Sequence, residues 1–265
     1  MYTKKMLTVI PALFFAFTCA PLAQVKAQSA DEEPSIEKDK ARQTEETPTT
    51  KTAAVESKAQ LATRAAKILD EIMETPDQNI PVDLLNRAEC VAVLPATLKA
   101  GFIVGANYGY GLVSCRQKES GHWGAPAFFT LAGGSLGFQI GAKATDLVLL
   151  IMNDKGLNGL LNGEITLGAD LGVAAGPVGR AASASTDVSM QASVLSYSRS
   201  EGLFAGVDIG GSVLRYDAQA TKELYGQEWA ARTVLMGEKE IPLAFAGFLR
   251  TLGKYAPQRL AKRGA

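Results

Sequence analysis

The chain has 265 residues, with 27 basic and 27 acidic side chains and so no formal net charge. That balance leaves no electrostatic footprint for nucleic acid, and the length allows one large domain or two small ones. A single histidine, His122, and three cysteines exclude a zinc site built on several histidines and leave a Ser-His-Asp triad only one possible base.

At the start of the chain, Lys4 and Lys5 precede an apolar run from Met6 to Ala20. Val25-Lys26-Ala27 then offers small residues at the positions a signal peptidase reads. Residues 1–27 therefore read as a signal peptide, which places the mature protein in a periplasm, in an envelope or outside the cell. A lipoprotein-type cut before Cys19 fits less well, because Phe17-Thr18 is a poor approach to it. Residues 28–53 are Glu, Lys, Thr, Gln and Pro with almost no large apolar residue, and are expected to form a disordered polar tail.

The body of the chain spans 54–240. Ala54 to Met73 has an amphipathic helical pattern, with Leu61, Ala62, Ala65, Ile68, Leu69, Ile72 and Met73 on one face and Pro76 as its stop. A short helix is expected near Pro81, and Cys90 to Pro95 reads as a buried strand that Pro95 ends. No glycine occurs before Gly101, yet 21 of the 26 lie between Gly101 and Gly211. Twelve of them form four units with glycine at every fourth position: Gly101, Gly105 and Gly109; Gly133, Gly137 and Gly141; Gly168, Gly172 and Gly176; Gly202, Gly206 and Gly210. The unit starts are 32, 35 and 34 residues apart, so the pattern is an internal repeat.

Read as strands, the units put their glycines on one face together with Asn107, Gln139, Asp170 and Asp208. Residues such as Phe102, Val104, Tyr108, Leu136 and Phe138 then fall on the other. Glycine in a strand marks a sharp bend or a close approach. The expectation is an α+β fold with a strongly coiled or partly closed antiparallel sheet, built from these glycine-striped repeats and flanked by helices. The rival reading, a GxxxG membrane helix, fails because Asn107, Asp170 and Asp208 interrupt the apolar run. Further along, Thr145 to Asn153 reads as a buried strand, Lys155 to Leu161 as a helix, Gly176 to Arg180 as a turn and Met190 to Tyr197 as a strand.

Catalytic chemistry has few candidates. There is no GxxxxGK[ST] loop, and the glycine units do not follow the dinucleotide pattern. Asp170, Asp187 and Asp208 read as turn-capping or solvated acids, and His122 as a loop residue. No enzyme, metal or cofactor is expected. Cys90 and Cys115 are either a disulfide, as an exported protein permits, or two buried thiols. Beyond Glu240 there are no acids and five bases. Phe245, Phe248, Leu249, Leu252 and Tyr255 share helical spacing there, with Arg250, Lys254, Arg259, Lys262 and Arg263 supplying charge. The segment 241–265 reads equally as a membrane-surface helix and as a helix packed on the sheet with a solvated positive end.

Four stretches carry a family resemblance: AECVAVLPATLKAGFIVGANYGYGLVSCR, HWGAPAFFTLAGGSLGFQIGAKATDLVLLIMN, GEITLGADLGVAAGPVGR and YSRSEGLFAGVDIGGSVLRYD. Together they resemble the SYLF domain family over roughly Ala59 to Met236. The resemblance implies a lipid-binding module, whose eukaryotic members bind phosphoinositides through an amphipathic helix and can bind or bundle actin. By position it implies lipid contacts at Lys58, Arg64 and Lys67. The export-type leader, with no SH3 or FYVE segment in view, looks like an exported bacterial branch. The expected function is a non-enzymatic lipid-binding protein of the bacterial cell envelope, docking on anionic phospholipid through its basic segments. The alternatives are a small outer-membrane β-barrel and an envelope scaffold for a protein partner that the sequence does not identify.

Overall fold

The computed structural model describes residues 48–101, 104–136, 141–179, 191–200 and 203–259. Helix α1 (Pro48–Glu74) begins six residues before the expected start, so 48–53 are helical and not part of an irregular tail. Pro48 explains the difference: proline suits the first turn of a helix, where its missing N–H has no partner to lose. After α2 (Val82–Arg87) come β1 (Cys90–Gly101), β2 (Val104–Cys115), β3 (Ala127–Leu136) and β4 (Gly141–Ile151). Helix α3 (Asp154–Leu161) and strands β5 (Glu164–Thr166), β6 (Val173–Ala175), β7 (Val194–Ser200), β8 (Leu203–Gly206) and β9 (Ser212–Tyr216) follow. Then come α4 (Ala218–Tyr225), α5 (Ala231–Leu235), a 3-10 turn (Leu243–Phe245) and α6 (Ala246–Tyr255).

All nine described strands form one sheet in the order β5-β9-β3-β2-β1-β4-β7-β6, with β8 beside β7. Every pairing is antiparallel except β6 with β7. Strands β5 and β6 lie at opposite ends of that order, yet only residues 167–172 separate them in sequence. Six residues reach no more than about 20 Å, so the sheet must curl until its two ends approach. Leu167 accepts from the Gly211 N–H at 2.8 Å on one side of the gap. Gly172 accepts from the Ser193 N–H at 2.8 Å on the other. The expected partly closed sheet with helical flanks is what the chain forms.

Two clusters fill the two faces. Inside the curl, Leu94, Leu131, Leu149, Ile165, Leu171 and Leu214 pack with Leu157 and Leu160 of α3 and Val234 of α5. Outside it, Val91, Val93, Leu112, Phe128, Val148 and Leu150 pack against Ala65, Leu69 and Ile72 of α1 and Phe248 and Leu252 of α6. A membrane barrel carries polar groups inside and lipid-facing apolar groups outside. Here leucines fill the lower interior and two helices cover part of the exterior. No described helix is long and apolar enough to cross a membrane.

Strand β1 does not stop at Pro95. Ala96 takes a positive φ of 50°, and the register shifts between Val93 and Leu98. This bulge accommodates a proline that cannot donate to the ladder. It also changes the alternation, so that Cys90, Ala92 and Leu94 are followed on the same inner face by Thr97 and Lys99. Directly opposite Cys90 on β2 stands Cys115, and the two form a disulfide.

The glycine units are corners between strands, not single strands. Gly101 ends β1 and pairs with Gly105 on β2 and with Gly141 on β4, which makes a glycine row along one rim. Units three and four meet each other: Gly206 lies against the backbone of Gly176, and Gly168 against Gly210. Gly137 and Gly202 lie outside the described residues. A four-residue interval suits a strand face and also a hairpin whose loop pairs residue i with i+4, and the second is realised here. Within the sheet, a Cβ added at Gly109 would stand 2.5 Å from Thr97 Oγ1, and one at Gly133 2.5 Å from Ser212 Cα. Gly172 has open space.

Arg116 locks the far end of the chain. It is 3% exposed and stacks 4.2 Å from the Trp123 ring. Its guanidinium donates to the carbonyls of Ala88, Gly121, Ala256 and Pro257 at 3.0–3.3 Å. Burial lowers its pKa to about 10, which leaves it charged at neutral pH. Trp123 Nε1 donates to the same Ala256 carbonyl at 2.9 Å.

Two predictions follow from this packing. Gly133→Val should cost about 1–3 kcal/mol by overpacking against Ser212, whereas Gly172→Ala should stay within about 0.5 kcal/mol of the parent in urea melts. Equal midpoints for the two variants would show that the inner face has room to spare. Arg116→Met should cost about 3 kcal/mol, because the carbonyls it serves lose their donor, and should raise amide exchange around Ala256. A loss below about 1 kcal/mol would mean that water replaces the guanidinium without strain.

Candidate functional site

The bases that the sequence singles out separate into two groups once placed. Lys58 is not at the surface: it is 5% exposed, ion-paired with Glu223 of α4, and its Nζ lies 5.9 Å over the Phe128 ring. Helical spacing accounts for this, since Lys58 falls on the same face as Ala62, Ala65 and Leu69, which point into the outer cluster. A lipid contact at Lys58 is therefore corrected to a strut between α1 and α4. Lys254 is exposed but engaged, 3.0 Å from Asp70 and 3.4 Å from Glu74 on α1. Hydrogen bonds to Tyr255 and Asp70 hold its pKa above the ordinary lysine range. Arg259 grips both oxygens of Glu89 at 2.7 and 2.8 Å and donates to the Arg87 carbonyl. Lys262 and Arg263 lie outside the described residues.

Arg64, Lys67 and Arg250 are exposed. Lys67 has Glu71 one turn on at 3.6 Å, and Glu71 also pairs with Arg199 of β7. Arg250 stands between two depressions. One, of about 830 Å³, is lined by Tyr225, Trp229, Ile241, Leu243 and Leu249. The other, of about 460 Å³, runs between α1 and α6 past Thr63, Ala66 and Thr251. Lys239 closes over Trp229, 4.0 Å from its ring.

The 3-10 turn at the head of α6 presents the most exposed large apolar side chain among the described residues, Leu243, at 89%. Ile241 beside it is 38% exposed. The turn is held from beneath: Phe245 is fully buried and meets Phe128 edge-on at 6.0 Å, and Phe248 is buried in the same cluster. Pro242 presets the backbone, and its carbonyl accepts the Phe245 N–H at 2.9 Å. The result is an apolar point on a rigid base with a guanidinium about two helical turns behind it. Sequence reading put the apolar stripe of α6 in view but passed over Leu243, which lies off that stripe.

The residues considered for catalysis have structural roles or none visible. His122 is exposed in its loop. Asp170 accepts the Thr166 N–H at 2.8 Å, which holds its pKa below the usual range, and Asp208 accepts the Gly210 N–H at 2.8 Å. Asp187 lies outside the described residues.

Residues 132–255 match the family described as Ysc84, Las17-binding protein actin regulator. Protein YSC84 of Saccharomyces cerevisiae is 34% identical over 197 residues, which are 71% of this chain and 42% of that relative. LAS seventeen-binding protein 3 of the same yeast is 36% identical over the same shares. SH3 domain-containing YSC84-like protein 1 of Homo sapiens is 37% identical over 187 residues, 68% of this chain and 54% of the relative. The chain thus spans about half, or less, of the length of these relatives, one of which is named for binding, LAS seventeen-binding protein 3. The fold's motifs and these matches agree: the chain carries a domain of the Ysc84, or SYLF, family.

Proposed function

We propose that this protein is a non-enzymatic, lipid-docking protein of the bacterial cell envelope, and that it meets anionic membrane through the turn at Leu243. The observation that carries the proposal is Leu243 itself, 89% exposed on a turn that Phe245 and Phe248 anchor in the outer cluster. An exposed leucine on a rigid support loses little conformational freedom when it enters the headgroup boundary, and its burial contributes about 1.5–3 kcal/mol. Arg250 lines the same depression as Leu243, where its long side chain can keep its charge among phosphates while its stem stays apolar. A basic residue near an anionic surface adds about 1 kcal/mol. Arg64 is a further exposed base on α1. The envelope location rests on the leader-like residues 1–27 and on the Cys90–Cys115 disulfide, which suits an oxidising compartment.

Co-sedimentation of the protein with vesicles tests the reading. Leu243→Glu should weaken binding to phosphatidylglycerol vesicles about tenfold or more. Arg250→Gln should weaken it about fivefold and flatten its dependence on salt. Lys254→Gln, whose charge is already engaged by Asp70 and Glu74, should bind like the parent. If Leu243→Glu and Arg250→Gln pellet as the parent does, this surface is not the docking face.

A further inference from the structure

The upper, inner face of the curled sheet holds a polar row that the apolar core does not need. Register places Ser212, Gly133, Asn107, Lys99 and Lys143 side by side on five neighbouring strands: β9, β3, β2, β1 and β4. Paired residues of antiparallel strands point to the same face. With strands about 4.8 Å apart, Asn107 to Lys143 covers about 10 Å. Their neighbours on the opposite face, Leu98 and Tyr108, are 52% and 56% exposed.

Three features of this row run against sheet stability. Lys99 is half-buried although charged, and a second lysine, Lys143, is its direct partner on the next strand. Asn107, on the other side of Lys99, is 6% exposed, and its Oδ1 has no hydrogen-bond partner. Ser212 is fully buried, and its Oγ likewise has none. Gly133 stands between these two and lets Ser212 approach: a Cβ there would stand 2.6 Å from Ser212 Oγ. Asp208 is near enough to act on Lys99 but forms no ion pair with it, its carboxylate being turned to the Gly210 N–H. Burial lowers the Lys99 pKa in spite of Asp208. A buried polar group without a partner costs about 1–3 kcal/mol, and departures of this kind collect where a ligand supplies the missing contacts.

We propose that the mouth of the curled sheet binds a phosphoryl group, with Lys99 and Lys143 supplying charge and Asn107 and Ser212 supplying hydrogen bonds. The Ser212 hydroxyl is a donor as it stands. The amide of Asn107 becomes one on turning about its last bond, which brings Nδ2 to the position of Oδ1. Four donors spread over the row match the several oxygens of a phosphoryl group better than the two of a carboxylate. The site is separate from the Leu243 surface and does not depend on it.

The test follows melting of the full chain at constant ionic strength while sodium phosphate replaces sodium chloride. The parent and Arg250→Gln should gain a saturable rise in Tm. Lys99→Met should need about tenfold more phosphate for half the effect, the loss of one charge-assisted contact. Without phosphate, Lys99→Met should melt no lower than the parent, since it removes an ammonium group that burial disfavours. If phosphate fails but phosphatidylglycerol vesicles protect the parent in a Lys99-dependent way, and phosphatidylcholine vesicles do not, the phosphoryl group arrives on a lipid headgroup and the site stands. Parent-like vesicle binding by Leu243→Glu, with phosphate protection intact, would overturn the docking surface and leave this site in place. Identical responses of the parent and Lys99→Met to both probes, or no response to either, overturn it.

Discussion

Crowding on the inner side of a curled sheet is the constraint from which the rest of this structure follows. As a sheet coils, side chains on its concave face converge while those on the convex face spread. Thr97 faces Gly109 and Ser212 faces Gly133, and in each pair a second Cβ would lie within 2.5 Å of its neighbour. Glycine is therefore a steric requirement of the curl at these positions. The curl in turn brings β5 and β6 close enough for residues 167–172 to join them. The helices are arranged around the same geometry: α3 and α5 fill the interior from below, and α1 and α6 lie on the outside.

The repeat of glycines was legible in the sequence, and so was the coiled α+β fold it implies. What could not be read was where each unit sits. Gly101 and Gly105 are four apart and share a face whether the chain runs straight between them or turns back on itself. Periodicity alone does not distinguish the two cases. The bulge at Ala96 was equally hidden, because Pro95 reads as the end of a strand unless a positive φ at the next residue restores the alternation. The helix periodicity did hold the answer for Lys58, whose spacing from Ala62 and Ala65 places it on the buried face.

Partners distant in sequence account for most of the remainder. Lys254 reads as a free base on α6 because Asp70 and Glu74, which engage it, belong to α1 at the other end of the domain. Arg116 gave no signal, since it binds carbonyls, which every residue possesses. The row from Ser212 to Lys143 draws on five strands and becomes visible only when the register is known. The exposed turn at Leu243 escaped for the opposite reason: a pattern search rewards apolar residues that face inward, and Leu243 departs from the stripe.

The two short links across the gap in the sheet also bear on how this chain behaves among its own copies. A row of unpaired backbone N–H and C=O groups along a sheet edge is a template for aggregation. Here the edge strands β5, β6 and β8 are three or four residues each, and the chain that connects β5 and β6 turns its hydrogen bonds toward both neighbours instead of outward. The long, strongly apolar strands β1 to β4 are all interior members of the order. A sequence this rich in β-branched and apolar strand residues thereby keeps its most adhesive backbone out of reach of a second molecule.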